Sequence, residues 1–109
     1  MPYVLHRLFL LIIFRRIIME EEIIFKPSAF KHGIVEEDIR SAFERRVFDY
    51  TMFGEEYKNL LIGFARDGNL LEIIYNVLEG NVINVFHAMK CRKAYHDLLE
   101  QREQNERND

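Results

Sequence analysis

Three apolar runs separated by glycine-containing turns constrain this 109-residue chain more than any other feature. Residues 59–93 read NLLIGFARDGNLLEIIYNVLEGNVINVFHAMKCRK. Within them, 59–65, 70–78 and 82–87 are dense in Leu, Ile, Val, Phe and Tyr, the composition of strands. Asp67-Gly68 predicts a tight type I′ hairpin, in which both central residues take positive φ. Gly80-Asn81 predicts a second, slightly looser turn. Turns this short pair neighbouring strands with each other, so the economical topology is an antiparallel meander. In 59–65 both alternating sets are apolar, Leu60, Ile62 and Phe64 against Leu61, Gly63 and Ala65, which predicts a central strand covered on both sides. The third strand runs into His87, Lys90, Arg92 and Lys93, so the sheet delivers basic groups to one end.

The remaining segments supply helices and edges. Residues 20–26, EEEIIFK, predict a short edge strand. Pro27 and Ser28 open a short helix over 28–32, which Gly33 closes. Glu36, Glu37 and Asp38 put negative charge in the first turn of the next helix, favourable against its dipole. Ile39, Ala42 and Phe43 recur there at helical spacing as a core-facing stripe, and the helix ends near Arg45 or Arg46. Residues 47–52 predict a fourth strand and 90–102 a last helix, with Ala94, Tyr95, Leu98 and Leu99 as its apolar side. Residues 103–109 are polar and predict a short, fraying tail. Helices segregated from an antiparallel sheet define the α+β class. The expected fold is a four-stranded antiparallel sheet, with an N-terminal edge strand as an optional fifth, two N-terminal helices and one C-terminal helix. A single domain over 19–102 accommodates it.

Residues 1–18, MPYVLHRLFLLIIFRRII, differ in character from the rest. The apolar run 8–14 falls well short of the ~20 residues that cross a bilayer, so no integral membrane span is expected. Arg15 and Arg16 stand where a signal peptide carries small residues. Three readings stay open: a start codon placed ahead of Met19, an added element packing on the body or on a partner, and a helix lying on a membrane surface with snorkelling arginines. If Met19 is the start, deleting 1–18 leaves a soluble folded domain.

Charge and cysteine content bound the partners and the compartment. Apolar residues at 49% and aromatics at 13% give the chain enough to bury, against global disorder. The net charge is −3 overall, and residues 19–109 hold 12 basic against 18 acidic side chains, so any anion site must be local. A single Cys91 excludes an internal disulfide and points to a reducing, cytoplasmic compartment.

Most familiar chemistries find no residues here. There is no cysteine pair and no His-Glu-x-x-His, so neither a metal nor a cofactor is expected. Gly63 and Gly68 fall in a strand and a turn rather than in a loop opening a helix, against a phosphate-cradling glycine loop. Ser28 and Ser41, the only serines, fall in helical contexts. What remains is the cluster His87, Lys90, Arg92, Lys93 and His96, with Lys31 and His32 elsewhere in the chain. His96 lies four residues from Arg92 and three from Lys93, which makes them neighbours on a helix. Two readings compete. One is a small anion or phosphate site, with Arg as a bidentate fork and Lys as a point charge. The other is a solvated basic face beside a satisfied, partly buried His87. Lys31 and His32 at a helix C-terminus are likewise favourable without any chemistry. Glu72 is singular, an acid inside an apolar strand. It belongs on a wet face or paired with a base of the cluster.

Four short motifs add a family likeness: Lys31-His32-Gly33-Ile34 before the acidic helix start, Ile62-Gly63-Phe64, the run DGNLLEIIY at 67–75, and VFHAMKCR at 85–92. Through them, residues 23–99 resemble the BrnT-type, RelE-like small ribonuclease toxins of bacterial type II toxin–antitoxin pairs. Where the last strand of that family runs through a Ser-Ala-Arg pattern, this chain has His87, Ala88 and Met89, and Lys90 and Arg92 are the nearest cations. The resemblance implies metal-independent RNA cleavage that inhibits translation. His87 and His32 would serve as acid and base, Lys90 and Arg92 would hold the phosphate, and Lys31, Lys93 and His96 would contact the RNA. It also implies a small antitoxin that covers the basic end and pairs with an exposed strand edge, and a homodimer or toxin–antitoxin oligomer as the assembly. The competing expectation is a non-catalytic, toxin-like interaction module that has lost RNase activity.

Overall fold

A computed structural model describes residues 22–52 and 57–108; the N-terminal segment 1–18, with the three readings of it, lies outside them. The described elements are β1 (Ile23–Phe25), a 3₁₀ turn (Pro27–Phe30), α1 (Glu36–Glu44), β2 (Arg46–Thr51), β3 (Asn59–Phe64), β4 (Leu70–Leu78), β5 (Val82–Lys90) and α2 (Lys93–Asn108). The class is α+β.

The sheet differs from expectation in one strand. It has five strands in the order β1-β5-β4-β3-β2. Strands β2 to β5 form the antiparallel meander. Strand β1 is integral and runs parallel to β5, pairing Ile23 with Ile83 and Phe25 with Val85, so the sheet is mixed rather than antiparallel. A parallel neighbour requires a long crossover. Here everything from the 3₁₀ turn through β4 separates the two strands, and no local turn signal could announce the pairing.

Among the described residues there are two helices, not three. The 28–32 segment makes only a single 3₁₀ turn, since Gly33 (φ 79°) ends it before a helical nucleus can propagate. Helix α1 forms as its stripe predicts. Ile39, Ala42 and Phe43 bury against Leu61, Ile73 and Tyr75, with the Phe43 and Tyr75 rings edge-to-face at 5.2 Å. Gly63 is where α1 comes closest to β3: a Cβ on Gly63 would overlap the Ala42 carbonyl oxygen. Leu60, Leu61 and Ile62 are all buried, so β3 is covered on both faces as its double apolar pattern predicts.

Turns and strand ends also depart from expectation. Of the Asp67-Gly68 pair only Gly68 (φ 88°) has positive φ. The connection is a wider loop, closed by Gly68 N–H donating to the Ala65 carbonyl and by Ala65 N–H donating to that of Asn69. That is the geometry of a three-residue hairpin with a glycine bulge. Strand β5 continues to Lys90, which pairs with Leu71, because β4 offers ladder partners beyond Ile74 and pairing overrides the helical preference of Ala88-Met89-Lys90. Helix α2 therefore starts at Lys93 and runs through the polar residues expected to fray, to Asn108. Arg102 lies over the Phe48 ring at 5.3 Å and its Nε stands 3.5 Å from Glu106. Among the described residues no helix is long and apolar enough to cross a membrane.

Candidate functional site

Antiparallel register brings the acid and the imidazole together. Glu72 on β4 pairs with Met89, and Ile74 with His87 on β5, so Glu72 and His87 are diagonal neighbours on one face of the sheet. Beyond Lys90 the chain leaves the ladder with Cys91 N–H on the Leu70 carbonyl, and Arg92 folds back over the strand end. The Glu72 side chain is 0% exposed. Its Oε1 accepts from the Arg92 backbone N–H (3.0 Å) and from Arg92 Nε (2.9 Å), and its Oε2 from Arg92 Nη2 (2.9 Å). His87 Nε2 stands 3.2 Å from the same Oε2. A carboxylate has about four lone-pair sites, and Glu72 fills them all.

The electrostatics follow from that count. Burial pushes the Glu72 carboxyl up. The hydrogen bonds from the Arg92 side chain and backbone and from His87, with the Arg92 charge, outweigh it, so the group sits below the ordinary carboxylate range. Glu72 is therefore ionised near neutral pH and acts only as an acceptor. The hydrogen bond and charge of Glu72 in turn raise the Arg92 guanidinium above its ordinary value. Arg92 keeps 57% of its side chain in solvent and stacks 5.3 Å from the Tyr95 ring centroid. Cys91, half-buried beside the pair, has its thiol pushed up to about 11 by burial and by the Glu72 charge, with Arg92 opposing.

His32 joins from the other end of the chain. Because β1 runs parallel to β5, the 3₁₀ turn after it is laid alongside Phe86, and Ser28 Oγ donates to the Phe86 carbonyl at 2.7 Å. His32 follows that turn, and its ring meets His87 edge-on with centroids 5.5 Å apart. Two imidazoles, a guanidinium and a buried carboxylate thus converge at one rim of the sheet. No family model, curated protein or solved structure matches the chain.

The expected site residues divide. His32, His87 and Arg92 are brought together. Lys31 precedes His32 and is exposed. Lys90 falls on the opposite face from His87, with Ala88, because the strand is still pleated there; it does not join the cluster. Lys93 opens α2 and is exposed. His96 does not meet Arg92 through side chains as the helical spacing suggests, since Arg92 turns towards Glu72. His96 instead lines a groove of about 450 Å³ with Val47, Phe64, Leu70 and Leu99. Two members lay outside the expected site. Glu72 carried a signal, a lone acid in an apolar strand. Tyr95 carried none, since an aromatic on the apolar side of an amphipathic helix reads as core. Among the described residues no three His, Cys, Asp or Glu side chains gather as a metal site.

Proposed function

We propose that the chain is a ribonuclease toxin of a type II toxin–antitoxin pair, cutting RNA at the His32–His87–Arg92 cluster without a metal. The observation that carries this reading is the pair of imidazoles 5.5 Å apart beside a half-exposed guanidinium. RNA transesterification calls for a base, an acid and a cation, and these groups can supply all three. One imidazole takes the proton of the 2′-hydroxyl, and the 2′-oxygen bonds to the adjacent phosphorus. The bond to the 5′-oxygen breaks and the other imidazole protonates that oxygen, leaving a 2′,3′-cyclic phosphate and a 5′-hydroxyl. The Arg92 guanidinium offers its remaining N–H groups to the phosphoryl oxygens as charge builds on them. Lys31 and Lys93 are exposed and supply the sequence-independent attraction to the RNA backbone. The antitoxin, a small protein with an acidic segment, covers this rim and pairs with the β2 edge in the cytoplasm.

A second reading, a non-catalytic interaction module, draws on a different observation: Lys90 lies on the other face and Arg92 is already held by Glu72. One assay separates the two. Purified protein is incubated with single-stranded RNA in the presence of a chelator. Cleavage lost in His87→Ala and His32→Ala supports the first reading. Wild-type protein that leaves the RNA intact, with no arrest of growth on expression, overturns it. A neighbouring gene for a small DNA-binding protein with an acidic segment supports the toxin assignment as well.

A further inference from the structure

If His87 works on RNA as proposed, the buried carboxylate decides how. We infer that Glu72 is a positioning residue that holds the Nε2 proton of His87, so that Nδ1 is the nitrogen that exchanges protons with substrate. The inference rests on the ribonuclease reading for its chemistry, but its geometry stands apart from it.

A carboxylate can only accept, and Glu72 Oε2 lies 3.2 Å from His87 Nε2. In the neutral ring one nitrogen carries a hydrogen and the other a lone pair, so the contact selects the Nε2–H tautomer and leaves Nδ1 bare. Glu72 has no freedom to turn away. It is 0% exposed, and its other three acceptor positions are taken by the backbone and side chain of Arg92. The backbone bond fixes the carboxylate at the strand end, and the guanidinium fixes its plane. His87 keeps 24% of its side chain in solvent, so the ring is held by the carboxylate and still reached by water. The ring also meets His32 edge-on, with centroids 5.5 Å apart. One buried acid thus orients both the imidazole and the guanidinium.

The discriminating substitution is Glu72→Gln. The amide oxygen at the Oε1 position keeps the bonds from Arg92 N–H and Nε, whereas the amide NH2 at the Oε2 position faces His87 Nε2 and gives up the Arg92 Nη2 bond. A donor there forces the proton onto Nδ1, which inverts the tautomer while conserving shape. The same exchange in a serine-protease triad lowers turnover by about 10⁴-fold through a wrong tautomer.

The test uses the full chain labelled with ¹⁵N. Long-range ¹H–¹⁵N spectra recorded above the titration of the ring assign the protonated nitrogen of each histidine, with His87→Gln identifying the His87 signals. Expected are an Nε2 proton on His87 in the wild type, an Nδ1 proton in Glu72→Gln, and a fall in kcat on a mixed-sequence oligoribonucleotide of at least about 100-fold with KM little changed. A wild-type ring protonated at Nδ1 overturns the inference even if the variant does not fold. An inverted tautomer with unchanged cleavage also overturns it. A wild-type protein with the expected tautomer and no RNA cleavage leaves the geometry standing and rejects the ribonuclease reading instead.

Discussion

Arg92→Ala removes the guanidinium from an acid that has no access to water. Two charge-assisted hydrogen bonds are lost, those from Nε and Nη2 at 2.9 Å each. Bonds to charged groups contribute ~1.5–3 kcal/mol apiece, and breaking a buried ion pair from one side costs ~3–5 kcal/mol. The Arg92 side chain is 57% exposed, so solvent already screens part of its interaction. The Arg92 backbone N–H and His87 remain as donors to the carboxylate. The expected loss at about pH 7.5 is therefore roughly 2–3 kcal/mol, a fall in Tm on the order of 10–20 °C for a domain of this size.

The pH dependence has a sign of its own. In the wild type the Glu72 pKa is lowered, so its contribution is fully present above the unfolded carboxylate pKa and is lost as pH falls through the lower, folded value. In Arg92→Ala burial remains while its main opponent is gone, and the folded pKa rises above the unfolded one. The variant then recovers stability on acidification, where the wild type does not. Urea unfolding followed by circular dichroism at about pH 7.5 and about pH 4.5 should give a gap that narrows at the lower pH. A gap under about 0.5 kcal/mol at the higher pH, ordinary for a surface substitution, would refute the reasoning. So would a gap that widens on acidification.

Two further outcomes follow from the packing and burial described above. Gly63→Ala drives a methyl group into the Ala42 carbonyl, where backbone on both sides must give; a loss of about 2 kcal/mol or more in urea unfolding is expected, and a neutral variant would contradict the α1–β3 contact. Cys91 should alkylate slowly with iodoacetamide, its rate still climbing between about pH 8 and about pH 10, since the thiol is pushed up to about 11; a plateau near pH 8.5 would disagree.

How much of this was legible in the residues depends on whether the deciding interaction is local. The meander was legible because short turns leave strands no other partner, and α1 because Ile39, Ala42 and Phe43 repeat at helical spacing. Strand β1 was legible as a strand but not as a parallel partner of β5, since Ile23 and Ile83 lie 60 residues apart in sequence. The end of β5 was misjudged because Ala88-Met89-Lys90 favours helix locally and strand only when Leu71 is beside it. That shift alone moved Lys90 off the site. Glu72 announced itself by being charged where nothing else is. The meeting of His32 with His87 could not be read, because it depends on the parallel pairing of β1.

That pairing has a consequence during synthesis. The chain emerges from the ribosome with residue 32 long before residue 87, and the strand that brings the two imidazoles side by side cannot dock until β5 has been made and paired. A nascent chain stalled before β5 carries His32 and Glu72 but neither His87 nor Arg92. The centre is assembled only once β5 has paired with β4 and Arg92, just beyond it, has closed on Glu72.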